Sequence, residues 1–149
     1  MRGMLLVAAI VALVLGVAAH QGESLQRVRP DVHWDKQTIS GDFNCDGRKD
    51  HAALGHQPGK VFVGIVLSDG TQPHILEFAV HRGENAAVCS PAAVLRKESL
   101  DYDPKETVGE LEGFHQTKDC WGLQLEDDEC DSIHFYWNTV TRQVAWWRL

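Results

Sequence analysis

Between Gly41 and Asp50 the chain reads GDFNCDGRKD, and side-chain oxygens recur at every second position. Numbered from Asp42, they stand first (Asp42), third (Asn44), fifth (Asp46) and ninth (Asp50), with Gly47 sixth and the carbonyl of Arg48 seventh. Calcium is a hard cation that takes about 6–8 oxygens at roughly 2.4 Å in an adaptable geometry. A loop that turns alternate side chains inward wraps such an ion, and a glycine permits the sharp bend that brings the seventh carbonyl round. Three carboxylates held this close repel one another, and a divalent cation offsets most of that repulsion. Cys45, at an even position, is expected to point away from the ion and to be free for a disulfide that braces the loop.

The register resembles the FG-GAP calcium loop of integrin-type β-propellers, in which a strand–loop–strand turn reads DxNxDGxxD before an apolar strand. Asp42, Asn44, Asp46 and Asp50 match that pattern residue by residue, and Ala52-Ala53-Leu54-Gly55 resembles the strand that follows it. EF-hand and dockerin loops share the first half of the pattern. They require a carboxylate at the twelfth position, where this chain has Ala53. The resemblance covers about 20 residues and occurs once, with Cys45 where glycine is common and His51 where an apolar residue is usual. A propeller needs at least four blades of roughly 40 residues, so the resemblance implies an ion site of Asp42, Asn44, Asp46, Arg48 and Asp50, and not the propeller.

Other chemistry is thinner. Eight histidines occur without an HExxH, and His51/His56 and His74/His81 are spaced by five and seven, which puts partners on opposite faces of a strand. His20 would be the first residue of the chain if a leader is removed after Ala19. Its amine and imidazole could then bind copper, in an arrangement similar to the histidine brace of lytic polysaccharide monooxygenases. The run Glu126-Asp127-Asp128-Glu129 with Asp131 lacks the alternating register and reads as a solvated hairpin tip. Asp101 and Asp103, beside Pro104, read as a turn. Trp121, Trp137, Trp146 and Trp147 with Tyr136 offer sugar-stacking area, but their placement on both strand faces favours cross-strand packing. No nucleophile elbow, phosphate loop or serine–histidine arrangement is present, and no residue is assigned to catalysis.

The elements that must position these residues follow from the rest of the chain. Residues 1–19 show a positive start, an apolar run from Met4 to Val17 and small residues at Val17-Ala18-Ala19, the pattern of a cleaved secretory signal and not of a lasting membrane anchor. Residues 20–149 then form one domain with a single core. Without Arg2 the chain carries 13 basic against 21 acidic side chains, a net charge of −8. That balance argues against nucleic acid and anionic lipid as partners and suits cations or a basic protein. Cys45, Cys89, Cys120 and Cys130 read as two disulfides in an oxidising compartment, with three connectivities open.

Lys60–Ser68 (KVFVGIVLS) is apolar on both faces, as an inner strand is, and Asp69-Gly70 turns it into a returning strand over Gln72–Val80. Val32–Ile39 and His51–His56 read as strands flanking the acidic loop. Ala86–Ser99 reads as a short helical turn before Pro91 and a strand after it. WGLQL, SIHFYW and QVAWWRL close the chain as β-strands. The expectation is a mainly β, disulfide-braced single small domain of antiparallel hairpins, arranged as a meander, sandwich or small barrel. Its expected role is an exported, periplasmic or secreted, calcium-binding domain, structural or binding. An acidic exported inhibitor of a basic enzyme such as a lysozyme is the alternative, and copper binding through His20 a third.

Overall fold

The computed structural model describes residues 23–83 and 87–149. The expected signal segment 1–19 and His20 lie outside the described residues. Residues 23–28 are helical (α1). Strands follow at His33–Trp34 (β1), Ile39–Gly41 (β2), Asp50–Gln57 (β3), Lys60–Val66 (β4), His74–Val80 (β5), Ala87–Val88 (β6) and Val94–Leu100 (β7). After a short helix at Lys105–Val108 (α2) come Thr117–Glu126 (β8), Ile133–Asn138 (β9) and Gln143–Trp147 (β10).

Two sheets result. One runs β1-β3-β4-β5-β6, with β2 sharing the β3 edge; the other runs β10-β9-β8-β7. Every pairing is antiparallel except that of β5 with β6, which is parallel. The fold is mainly β, as its alternating sequence implies. Of the three arrangements expected it is the sandwich: Val61, Val63, Ile65 and Phe78 of the first sheet meet Leu123, Leu125, Ile133 and Phe135 of the second in one buried cluster. Phe78 and Phe135 touch edge to face at 5.7 Å. Each such ring, fully buried, contributes roughly 1.5–3 kcal/mol.

The two-sided pattern of β4 has its physical counterpart. While Val61, Val63 and Ile65 face the second sheet, Phe62 faces outward into a separate cluster with Leu25 of α1, Val32, Trp34 and Ala53. Gly64 lies under that cover because nothing larger fits: a Cβ there would sit 2.6 Å from Leu25 Cδ2 and 2.7 Å from the Trp34 ring. The outer face of the second sheet is covered by the chain that carries α2, through Tyr102, Leu111 and Phe114 packed on Tyr136 and Trp147. Phe135 and Trp137 face one way and Tyr136 the other, and Trp146 and Trp147 divide likewise.

Three local expectations change. The single strand over Val32–Ile39 is two short strands, β1 and β2, which dock on different parts of β3. Ala87–Val88 is strand where a helical turn was expected before Pro91, because it pairs alongside β5. The region after Leu100, the least legible in sequence, forms α2 and the cover of the second sheet.

The disulfides are Cys45–Cys120 and Cys89–Cys130, with Cα–Cα distances of 5.2 and 5.9 Å. Proximity in sequence would have paired Cys120 with Cys130. Cys120 lies inside β8, however, and the six residues from it to Glu126 run extended for roughly 20 Å, beyond the reach of a disulfide. Each bridge instead joins the first-sheet half of the chain to the second-sheet half. Such bonds are consistent with an oxidising location outside the cytosol. Among the described residues no helix is long and apolar enough to cross a membrane.

Candidate metal centre

The acidic stretch connects β2 to β3, and the pairing of Gly41 with Asp50 closes it as a hairpin loop. Asp42 organises its interior. Its Oδ1 accepts the Asp46 N–H (3.1 Å) and its Oδ2 the Gly47 N–H (2.8 Å). Asn44 Oδ1 accepts the same Asp46 N–H at 3.2 Å, so oxygens from the first and third positions converge on one point. Gly47 has φ +81°, the left-handed conformation that the bend requires and that glycine adopts without penalty. Cys45 has φ +61°, unusual for a residue with a Cβ, and is held there by its bond to Cys120. A backbone hydrogen bond from Trp121 N–H to the Asp42 carbonyl (2.9 Å) adds a second tie to β8. The loop is thus fastened to the opposite sheet through the cysteine expected to brace it.

The fifth and ninth positions have other engagements. Asp46 Oδ2 accepts from the Arg48 guanidinium (2.8 Å from Nη2) and from Asn44 Nδ2 (3.1 Å), and its Oδ1 accepts the Arg48 N–H (2.8 Å). The Arg48 side chain, foremost, holds the Asp46 carboxyl below its usual range. Both side chains retain solvent exposure, where water and salt screen the pair. Asp50 is 0 % exposed. Its Oδ2 accepts the Phe43 N–H (2.8 Å) and its Oδ1 the Ser68 N–H (2.9 Å), which ties the start of the loop to the chain leaving β4. A carboxylate offers about four acceptor sites, so a cation shell that includes Asp50 shares its oxygens with two amides.

Among the described residues no three His, Cys, Asp or Glu side chains converge as a metal-binding group. The Asp42, Asp46 and Asp50 carboxylates are thus not gathered into one such group, and any shell at this loop would need the Asn44 amide and the Arg48 carbonyl beside them. That mixed oxygen set suits a hard ion such as calcium and not zinc or copper.

The other candidates are structural. His51 hydrogen-bonds Ser40 (3.1 Å), and burial lowers its pKa; His56 lies 3.6 Å from Asp35. Asp103 Oδ1 accepts the Lys105 N–H ahead of α2, and Asp101 pairs with Lys118 at 3.4 Å. The run from Glu126 is not uniformly solvated, as its composition suggested. Asp127 is buried and accepts the backbone N–H groups of Cys89, Glu129 and Cys130. Burial pushes its pKa up, but the three N–H donors together hold it below the usual carboxylate range.

One cluster escaped the sequence reading. Glu98 of β7 bonds His134 Nδ1 of β9 at 2.8 Å, and that imidazole stacks on the Trp147 ring at 4.1 Å. Burial foremost, and the Glu98 charge beside it, push the neighbouring Tyr102 phenol up to about 12. The residues lie 36 positions apart, and only the strand order β9-β8-β7 brings them together.

No family model matches the chain, and no curated protein or solved structure matches it either.

Proposed function

We propose that this protein is an exported β-sandwich that binds calcium in the Asp42–Asp50 loop, where the ion serves to hold the loop for a structural or binding role. The reading rests foremost on the convergence of Asp42 Oδ1 and Asn44 Oδ1 on one N–H. They do so in a loop whose backbone is already bent at Gly47 and tied down at Cys45. A preformed loop loses little conformational entropy on binding. The ligands are Asp42, Asn44, Asp46, the Arg48 carbonyl and Asp50; the Arg48 guanidinium leaves Asp46 as the ion arrives. The five ligands leave at least one of calcium's about 6–8 positions to water, and the role is structural because the ion's neighbours serve to hold the bend of the loop. Export follows from the leader-like residues 1–19 together with the two disulfides.

Extracellular calcium modules bind with dissociation constants of about 0.1–1 mM. At a calcium concentration ten to a hundred times higher, linkage stabilises the folded state by about 1.4–2.7 kcal/mol. Unfolding followed by calorimetry should therefore show a midpoint several degrees higher in calcium than in chelator, with no such rise in magnesium. An Asp42→Ala variant should lose the difference. Identical midpoints in calcium and chelator, with no heat of binding by titration calorimetry, would remove the calcium assignment.

A further inference from the structure

At one end of the sandwich the β2–β3, β4–β5 and β9–β10 connections come together around an open cleft of about 640 Å³. That volume lies within the range of about 300–1,000 Å³ common to small-molecule sites. One ring from each sheet lines it: Trp137 of β9 and His74 of β5, edge to face with centroids 5.5 Å apart. Asp69 comes from the β4–β5 turn, Arg142 from the β9–β10 turn, Gln143 from the start of β10, and Arg48 from the acidic loop.

The chemistry of this lining is specific. Two guanidiniums are balanced by the carboxylates of Asp46 and Asp69, so the cleft selects neither polyanions nor polycations. Its polar groups are planar and bidentate: carboxylate oxygens that accept, and guanidinium and amide groups that donate in pairs. The Trp137 indole beside them, part-buried against the core and edge to face with His74, supplies an apolar part of the lining. A sugar ring presents the complementary set, with adjacent hydroxyls that both donate and accept around its edge and C–H groups on its faces. A phosphate would meet the carboxylates, and a purely apolar ligand would strand the polar lining without partners.

The backbone adds an independent observation. Arg142 has φ +56°, a conformation that suits glycine and is costly for arginine. It is fixed there by the bond from its own N–H to the Asn138 carbonyl (2.8 Å), while buried Asn138 Oδ1 accepts the Val140 and Thr141 N–H groups. A strained residue on a rigid turn, presenting a guanidinium to a cleft, is the kind of local cost that accompanies binding sites.

We propose that this cleft binds a neutral carbohydrate chain, with a sugar ring against Trp137 and its hydroxyls on Asp69, Arg142 and Gln143. Trp137, Asp69, Arg142 and Gln143 lie outside the acidic loop, but Asn44, Asp46 and Arg48 of that loop also line the cleft, so binding is measured both in calcium and in chelator. The test is titration calorimetry and tryptophan fluorescence of the purified protein with cello-, chito-, malto- and manno-oligosaccharides. At least one series should bind saturably, and Arg142→Gly and Gln143→Ala should each weaken it about five- to tenfold, the loss of one hydrogen bond. Arg142→Gly relieves the backbone, so its unfolding midpoint should equal or exceed that of the wild type; lost binding in this variant is then not lost folding. Failure of all four series to bind at millimolar concentration would overturn the proposal, as would binding that both variants leave unchanged.

Discussion

Replacing Asp50 by asparagine separates the frame of the acidic loop from its metal chemistry. The wild-type carboxylate is fully buried and takes one N–H on each oxygen, from Phe43 and from Ser68. Asparagine has the same shape but keeps only one acceptor, and its NH2 must face the other N–H. One charge-assisted hydrogen bond is lost, worth about 1.5–3 kcal/mol, and a buried donor is left unpaired at a further ~1–3 kcal/mol. Some of this is returned because an ionised group no longer has to be desolvated. The expected net loss is about 2–4 kcal/mol. With a urea m value of about 1.5 kcal/mol/M for a domain of this size, the midpoint should fall by roughly 1.5–2.5 M. The assay is urea unfolding by tryptophan fluorescence, run in calcium and again in chelator. Because the two amides are bound whether or not an ion is present, most of the loss should persist in chelator. A variant within 0.5 kcal/mol of wild type in chelator would refute the reasoning and make Asp50 a ligand first and a strut second.

Two further outcomes follow from the same contacts. Replacing both Cys45 and Cys120 by serine opens a cross-link spanning 75 residues, which on chain-entropy grounds should cost about 4 kcal/mol of stability and weaken calcium binding; an unchanged denaturation midpoint would count against the loop's being held by that bond. Asp127 has a depressed folded-state pKa, so the stability it contributes is complete above its unfolded value near 3.9 and is lost as pH falls through the lower folded value. Stability measured from pH 6 downward should decline less steeply in Asp127→Asn than in wild type, from a lower starting point at pH 6, and parallel curves would contradict the assignment.

What could be read in the sequence was what alternation alone determines. In KVFVGIVLS the period of two separates Val61, Val63 and Ile65 from Phe62 and Gly64, and the fold buries the two sets in different clusters. The expectation that Cys45 takes part in a disulfide bracing the loop is met, since Cys45 is bonded to Cys120. What could not be read depends on which strands lie side by side. Asp50 and Asp46 look alike in GDFNCDGRKD, yet one is buried on two amides and the other pairs with an exposed arginine. The difference arises because Ser68, 18 residues away, comes back beside β3. Glu98 and His134 carry no local mark at all, and the Cys120–Cys130 separation misleads because β8 is extended through it.

The two disulfides share a feature that neither acidic run displays by itself. Beside Cys45–Cys120 stands Asp50, which gathers the N–H groups of Phe43 and Ser68; beside Cys89–Cys130 stands Asp127, which gathers those of Cys89, Glu129 and Cys130. In each case a covalent bond ties the loop to the other half of the chain, and a buried carboxylate satisfies backbone donors that the bend would otherwise leave unpaired. An aspartate does this better than a neutral acceptor, because hydrogen bonds to its charge are stronger. Part of the acidity of both runs is thus spent on architecture. The Asp42–Asp50 loop differs in what remains: Asp42 and Asn44 hold their oxygens around the interior of an exposed bend where Asp46 alone is drawn off, to Arg48, whereas Glu126 and Glu129 are both drawn off, to Arg96 and Arg82. That division is the physical reason to look for a cation at the first loop and not at the second.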